Sequence, residues 1–105
     1  MPAFDLTETS DRRSSNKVFK ALSDSTRRQI LVLLEERHRN VGEIVGQFDL
    51  TQPTISRHLS VLREAELIRD SRQGQNVVYS INGEALNDSM KQFFGRFRGC
   101  KQSLR

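Results

Sequence analysis

Thr51-Gln-Pro-Thr-Ile-Ser-Arg-His-Leu-Ser-Val-Leu-Arg63 is a short segment with two chemically different faces. Ile55, Leu59 and Leu62 recur at i, i+4 and i+7, which makes one apolar stripe at helical spacing. Thr54, Arg57 and Ser60 fall on the other side, with Gln52 and Ser56 near the start. No carboxylate occurs from Thr51 through Arg63. Short hydrogen-bonding side chains with Arg and without acid suit a helix that must approach phosphates and base edges. An ordinary amphipathic helix with a solvated face has the same spacing, so the neighbouring segments have to decide.

Upstream, Asn40 is placed to cap a short helix containing Val41, Ile44, Val45 and Phe48, and the tight link Asp49-Leu50 joins it to the segment above. Thr51 is the expected N-cap of the second helix, and Pro53 falls in its first turn, where a missing N–H costs little. Two helices with this link have the spacing of a helix-turn-helix, in which the first braces the second in a major groove. Further back, a helix is expected to begin near Ser14 or Ser15 with Val18, Phe19 and Leu22 on its apolar face. Asp24 or Ser25 then caps another, which buries Ile30, Leu33 and Leu34 and ends near His38. Residues 1–14 are polar and aperiodic and read as a flexible arm.

Downstream the period changes. Leu67–Arg72 and Asn76–Ile81 are strand-like, and Gln73-Gly74-Gln75 between them supplies the glycine a hairpin turn requires. Arg69, Arg72, Gln73, Gln75 and Asn76 lie on or near the tip of this hairpin, where they could reach a nucleic-acid backbone or minor groove. From about Gly83 helical spacing returns, and Leu86, Met90, Phe93, Phe94 and Phe97 form one stripe of a final helix. So small a globule is not expected to cover that stripe alone. It reads as a dimer interface shared with Val18 and Phe19 of the first helix, with core packing and a lipid-facing helix as alternatives.

With 105 residues, 35% of them hydrophobic, the chain is expected to form one domain over residues 15–98 with a basic tail at 99–105. Mean hydropathy is −0.60 and the longest apolar run, Ile30–Leu34, is too short to span a bilayer, so no membrane insertion is expected. No secretion signal is seen, and a cytoplasmic location follows. The formal charge of +4 and isoelectric point near 9.8 attract polyanions. Five basic residues and no acid lie between Ser89 and Arg105. The single cysteine, Cys100, excludes an intrachain disulfide framework. It is either an inert thiol near the C-terminus or a redox switch, its thiolate favoured by Arg98 and Lys101.

Three ordered stretches resemble the ArsR family of winged-helix repressors. Phe19–Leu34 is similar to that family's opening, Thr51–Arg63 to its recognition helix, and Leu67-Ile68, Arg72–Gln75 and Val78–Ile81 to its wing. The likeness runs over about residues 16–97. It implies a mainly α, winged helix-turn-helix fold of about five helices and one β-hairpin. It also implies a homodimeric repressor on a palindromic double-stranded DNA operator, a reading that admits autoregulation, with Thr51, Gln52, Thr54, Ser56, Arg57 and His58 contacting DNA and Arg72, Gln73 and Gln75 holding the wing. The chain departs from the family's sensor pattern. Val41–Phe48 contains no cysteine or histidine, and the final helix offers Asp88 without a histidine. No metal and no cofactor are therefore expected, and release from DNA would fall to an anti-repressor protein, a redox event or dilution. A metal- or thiol-responsive sensor is one alternative, and an interaction module that never reads DNA is another. No phosphate loop, carboxylate pair or nucleophile motif suggests an enzyme.

Overall fold

The computed structural model describes residues 9–101, with side chains from Ser14 to Gly99. Helix α1 covers Thr9–Leu22, α2 Ser25–Glu36, α3 Val41–Val45 and α4 Gln52–Glu64. A two-residue strand, β1, Arg39–Asn40, precedes α3. The hairpin strands are β2, Ile68–Gln73, and β3, Asn76–Ile81, followed by α5, Gly83–Phe94, and the single turn α6, Arg98–Lys101. The sheet is antiparallel in the order β1-β3-β2. This is the winged helix-turn-helix expected from sequence, with one strand added.

Caps fix most of the boundaries. The Asp24 carboxylate accepts the N–H groups of Thr26 at 2.8 Å and Arg27 at 3.3 Å, which starts α2. Asn40 and Glu43 form a reciprocal capping box on α3. Helix α4 ends in a Schellman pair, Leu67 N–H to the Leu62 carbonyl at 3.0 Å and Glu66 N–H to Arg63 at 2.9 Å. The residue in the left-handed position is Glu66, at φ 61°, where glycine is usual. Asn82 holds that corner by donating from its side chain to the Glu66 carbonyl and from its backbone to Leu67.

The core gathers Ala21, Ile30, Leu34, Ile44, Ile55, Leu59, Leu62, Leu67 and Ile68, so the helix pair, α2 and the base of the hairpin share one apolar centre. Arg39 is buried at its edge. It bridges to Glu36 at 2.9 Å and donates to the Leu33 carbonyl, which also accepts the Arg37 N–H at the end of α2.

Several expectations need correction. Helix α1 begins at Thr9, so residues 9–14 belong to a helix rather than to an arm, while residues 1–8 lie outside the described part. Leu31 is buried on α2 where Leu33 was expected, and α2 stops at Glu36 rather than His38. Helix α3 stops at Val45, so Phe48 packs on the core from the following turn. Val18 is only 4% exposed and sits in the subunit's own core, which removes it from any interface. Phe97 lies beyond the end of α5, separated from it by Gly95. Helix α6 straddles the expected boundary at residue 98.

Candidate nucleic-acid interface

Helix α4 is amphipathic as its spacing requires. Ile55, Leu59 and Leu62 are buried, and Gln52, Ser56, Arg57 and Ser60 are exposed. Its N-terminus is chemically open. Thr51 occupies the N-cap without a side-chain hydrogen bond to the helix backbone, because its hydroxyl pairs with that of Thr54 at 2.9 Å. The first turn carries no acid. The unpaired N–H groups and the positive end of the helix dipole there favour an anion such as a backbone phosphate. Among the described residues, Gln52 and Arg57 have no side-chain partner within the subunit, which leaves both available for bidentate contacts.

The hairpin turns on Gly74, at φ +65°, with Gln73 paired to Asn76 across a two-residue loop. Positive φ at the first loop position alone is the type II′ pattern, which needs glycine there. Arg72, Gln73 and Gln75 are exposed around this tip. Arg69 is not with them, since it pairs with Ser80 near the base. Residues two apart share a strand face. Ile68 is buried in the core and Asp70 meets Arg63 of α4 at 3.4 Å, so Arg72 continues the face turned toward α4. The exposed Arg63–Asp70 pair adds little stability but ties the wing to the end of α4.

His58 does not join the exposed row. It is half-buried, and its Nδ1 lies 3.1 Å from a guanidinium nitrogen of Arg27 on α2. Arg27 was invisible to sequence reasoning, since its partners are two carbonyls and a ring nitrogen that only the fold brings together. Two carboxyls titrate low. At Asp24, slight burial pushes upward, but the bonds from the Arg27 and Thr26 N–H groups and the nearby charge of Arg27 outweigh it. At Glu43, the Asn40 N–H leads and Arg37 adds an ion pair at 2.9 Å. Among the described residues, no three His, Cys, Asp or Glu side chains gather as metal ligands, and no helix is long and apolar enough to cross a membrane. The side chain of Cys100 lies outside the described residues.

Residues 24–70, which hold α2, the helix pair and the first residues of the wing, match the model of the bacterial regulatory protein, arsR family. The transcriptional repressor SdpR of Bacillus subtilis is 48% identical over 75 residues, covering 71% of this chain and 83% of its own. The chain belongs to the ArsR family. It is a DNA-binding transcriptional regulator, and its family is one of regulators rather than enzymes. The chain spans about half the length of two other relatives, 53% of the arsenic resistance transcriptional regulator ArsR1 of Pseudomonas putida and 52% of the HTH-type transcriptional regulator KmtR of Mycobacterium tuberculosis. Among solved structures, the ArsR family transcriptional regulator RHA00566 superposes with a TM-score of 0.76 at 26% identity, covering 90% of this chain and 96% of that one. The winged helix-turn-helix DNA-binding domain of Mb0332 from Mycobacterium bovis, described as homodimeric, has a TM-score of 0.72 at 28% identity and covers 91% of each chain.

Proposed function

We propose that this ArsR-family regulator is a cytoplasmic, homodimeric repressor that sets two α4 helices into successive major grooves of a palindromic operator. The observation that carries this reading is the exposed, acid-free face of α4 with its open N-terminus beside a basic hairpin tip. Gln52 and Arg57 read base edges. Thr51, Thr54 and Ser56 serve phosphates or bases, and Arg72, Gln73 and Gln75 hold the wing on the backbone. His58 supports α4 from behind. The homodimer is supported by α5, which packs Leu86 and Met90 on the core but leaves none of its residues fully buried, and by the exposed rings of Phe19, Phe93 and Phe97. The similar Mb0332 domain is described as homodimeric, and SdpR is named a repressor. Two-fold symmetry makes the operator a palindrome, and occupying a promoter excludes polymerase without any chemistry.

Fluorescence anisotropy of the purified protein, against duplex from upstream of its own gene and a scrambled control at two salt concentrations, tests this. A preference of at least ~10³-fold for the upstream site is expected for an autoregulatory repressor. Equal, weak and steeply salt-dependent binding to both would overturn it, since charge alone would then be at work.

A further inference from the structure

One planar side chain joins three helices. The Nε of Arg27 donates to the Ala21 carbonyl at 2.8 Å, Nη2 to the Lys20 carbonyl at 2.9 Å, and Nη1 meets His58 Nδ1 at 3.1 Å. The two carbonyls belong to the last turn of α1, beyond the reach of further helix N–H groups; that of Lys20 also accepts the N–H of Ser23 at 3.2 Å and its hydroxyl at 2.6 Å. Adjacent to Lys20 is Phe19, whose ring meets Phe93 of α5 edge-on with centroids 5.0 Å apart. At the other end, His58 follows Arg57 directly on α4. A guanidinium can only donate, so Nδ1 accepts and the imidazole proton sits on Nε2.

We propose that Arg27 is the positioning residue that fixes the recognition helix relative to the dimer face, by tying the end of α1 to His58 of α4 through α2. This rests on the reading of α4 as the DNA-reading helix and of α1 with α5 as the dimer face. A two-fold regulator must present its two recognition helices at a fixed separation. The apolar contacts of Ile55, Leu59 and Leu62 hold α4 on the core and decide which face it buries, leaving the fine setting of its rotation to directional contacts. A directional bond to His58 restrains that rotation and with it the aim of Arg57. Lysine cannot replace this group, because three acceptors in a plane need the fork. The carboxylate of Asp24 accepts the backbone N–H of Arg27 at 3.3 Å, so an anion already lies beside the guanidinium's own residue.

The test uses the full chain and a palindromic duplex enriched by the wild-type protein from a randomised library. Single half-sites, and palindromes with the half-sites moved one base pair closer or farther, serve as comparisons. Arg27→Met and Arg27→Lys are both expected to lose roughly tenfold in affinity for the palindrome. Both should keep the dimer in sedimentation, bind a half-site as the wild type does, and discriminate less among spacings. In nitrogen-15 spectra, wild-type His58 should hold the Nε2–H tautomer, and Arg27→Met should release it to a mixture.

If both variants match the wild type on the palindrome and on spacing, the positioning role falls while the DNA reading stands. If Arg27→Lys retains wild-type affinity and Arg27→Met weakens half-site and palindrome alike, Arg27 is a phosphate-binding charge and the positioning role falls. A wild-type His58 protonated on Nδ1 would overturn the contact even if Arg27→Met fails to fold. Enrichment of no sequence by the wild type would remove the DNA reading and this inference with it.

Discussion

At the scale of single residues, the chain shows where chemistry overrides local preference. Glu66 occupies a left-handed position that costs a non-glycine residue about 1–2 kcal/mol, and it does so because the α4–β2 corner is held from three sides. Its side chain is exposed and has no partner among the described residues, so the strain serves no contact. Glu66→Gly is therefore expected to stabilise the fold by ~1 kcal/mol, raising the melting temperature by roughly 4–8 °C. A calorimetric melt that leaves the temperature unchanged or lowers it would show that the strain is relieved elsewhere. The same scale explains what the sequence conceals. Arg27 and Arg28 are neighbours of one residue type, yet only Arg27 reaches His58. Arg39 is buried against carbonyl and carboxylate partners that no spacing rule identifies.

At the scale of elements, legibility follows periodicity and capping chemistry. Helix α4 and the hairpin were readable because each carries several residues on one period with a turn or cap residue at its end. Strand β1 was not, because two residues have no period; only its pairing of Arg39 with Tyr79 and Asn40 with Val78 defines it. Val18 and Phe19 of α1 are both apolar, so spacing alone does not separate them, and only the position of α2 and α4 makes Val18 the buried one. The α2 cap offers a pH test. The Asp24 carboxyl titrates below its ordinary value of 3.8 in the folded chain. A depressed carboxylate contributes stability above its unfolded pKa and loses it as pH falls through the folded one. Asp24→Asn keeps an acceptor for the helix N–H groups but cannot titrate. Its melting temperature should therefore fall less steeply than wild type as pH drops below 3.8. Parallel acid limbs for the two proteins would mean that the carboxylate charge at this cap contributes nothing to acid sensitivity.

At the scale of the whole molecule, the proposed function rests on two surfaces. One is the aromatic cluster in which Phe93 touches Phe19, Phe94 and Phe97, with centroids 5.0, 5.9 and 5.3 Å away. Phe93 and Phe19 are each 39% exposed although both are large and apolar, which supports the proposed dimer face. Phe93→Glu is expected to sediment as a monomer while retaining wild-type helix content, because the ring lies outside the buried core of the subunit. A dimer that survives this change would place the interface elsewhere. The other surface, α4 with the hairpin tip, was legible from sequence as a face lacking acid. The support behind it, from Arg27 through His58, was not.

The central claim is that α4 reads bases while the wing only holds the backbone, and one titration separates these roles most directly. Arg57→Ala and Arg72→Ala are measured against the enriched palindrome and its single-base variants over a series of salt concentrations. Arg57→Ala should cost about 1–3 kcal/mol and relax preference at one position in each half-site. Arg72→Ala should weaken every sequence alike and reduce the salt slope by ~1. Unchanged specificity in Arg57→Ala, or a sequence-selective loss in Arg72→Ala, would contradict the assignment of the two surfaces.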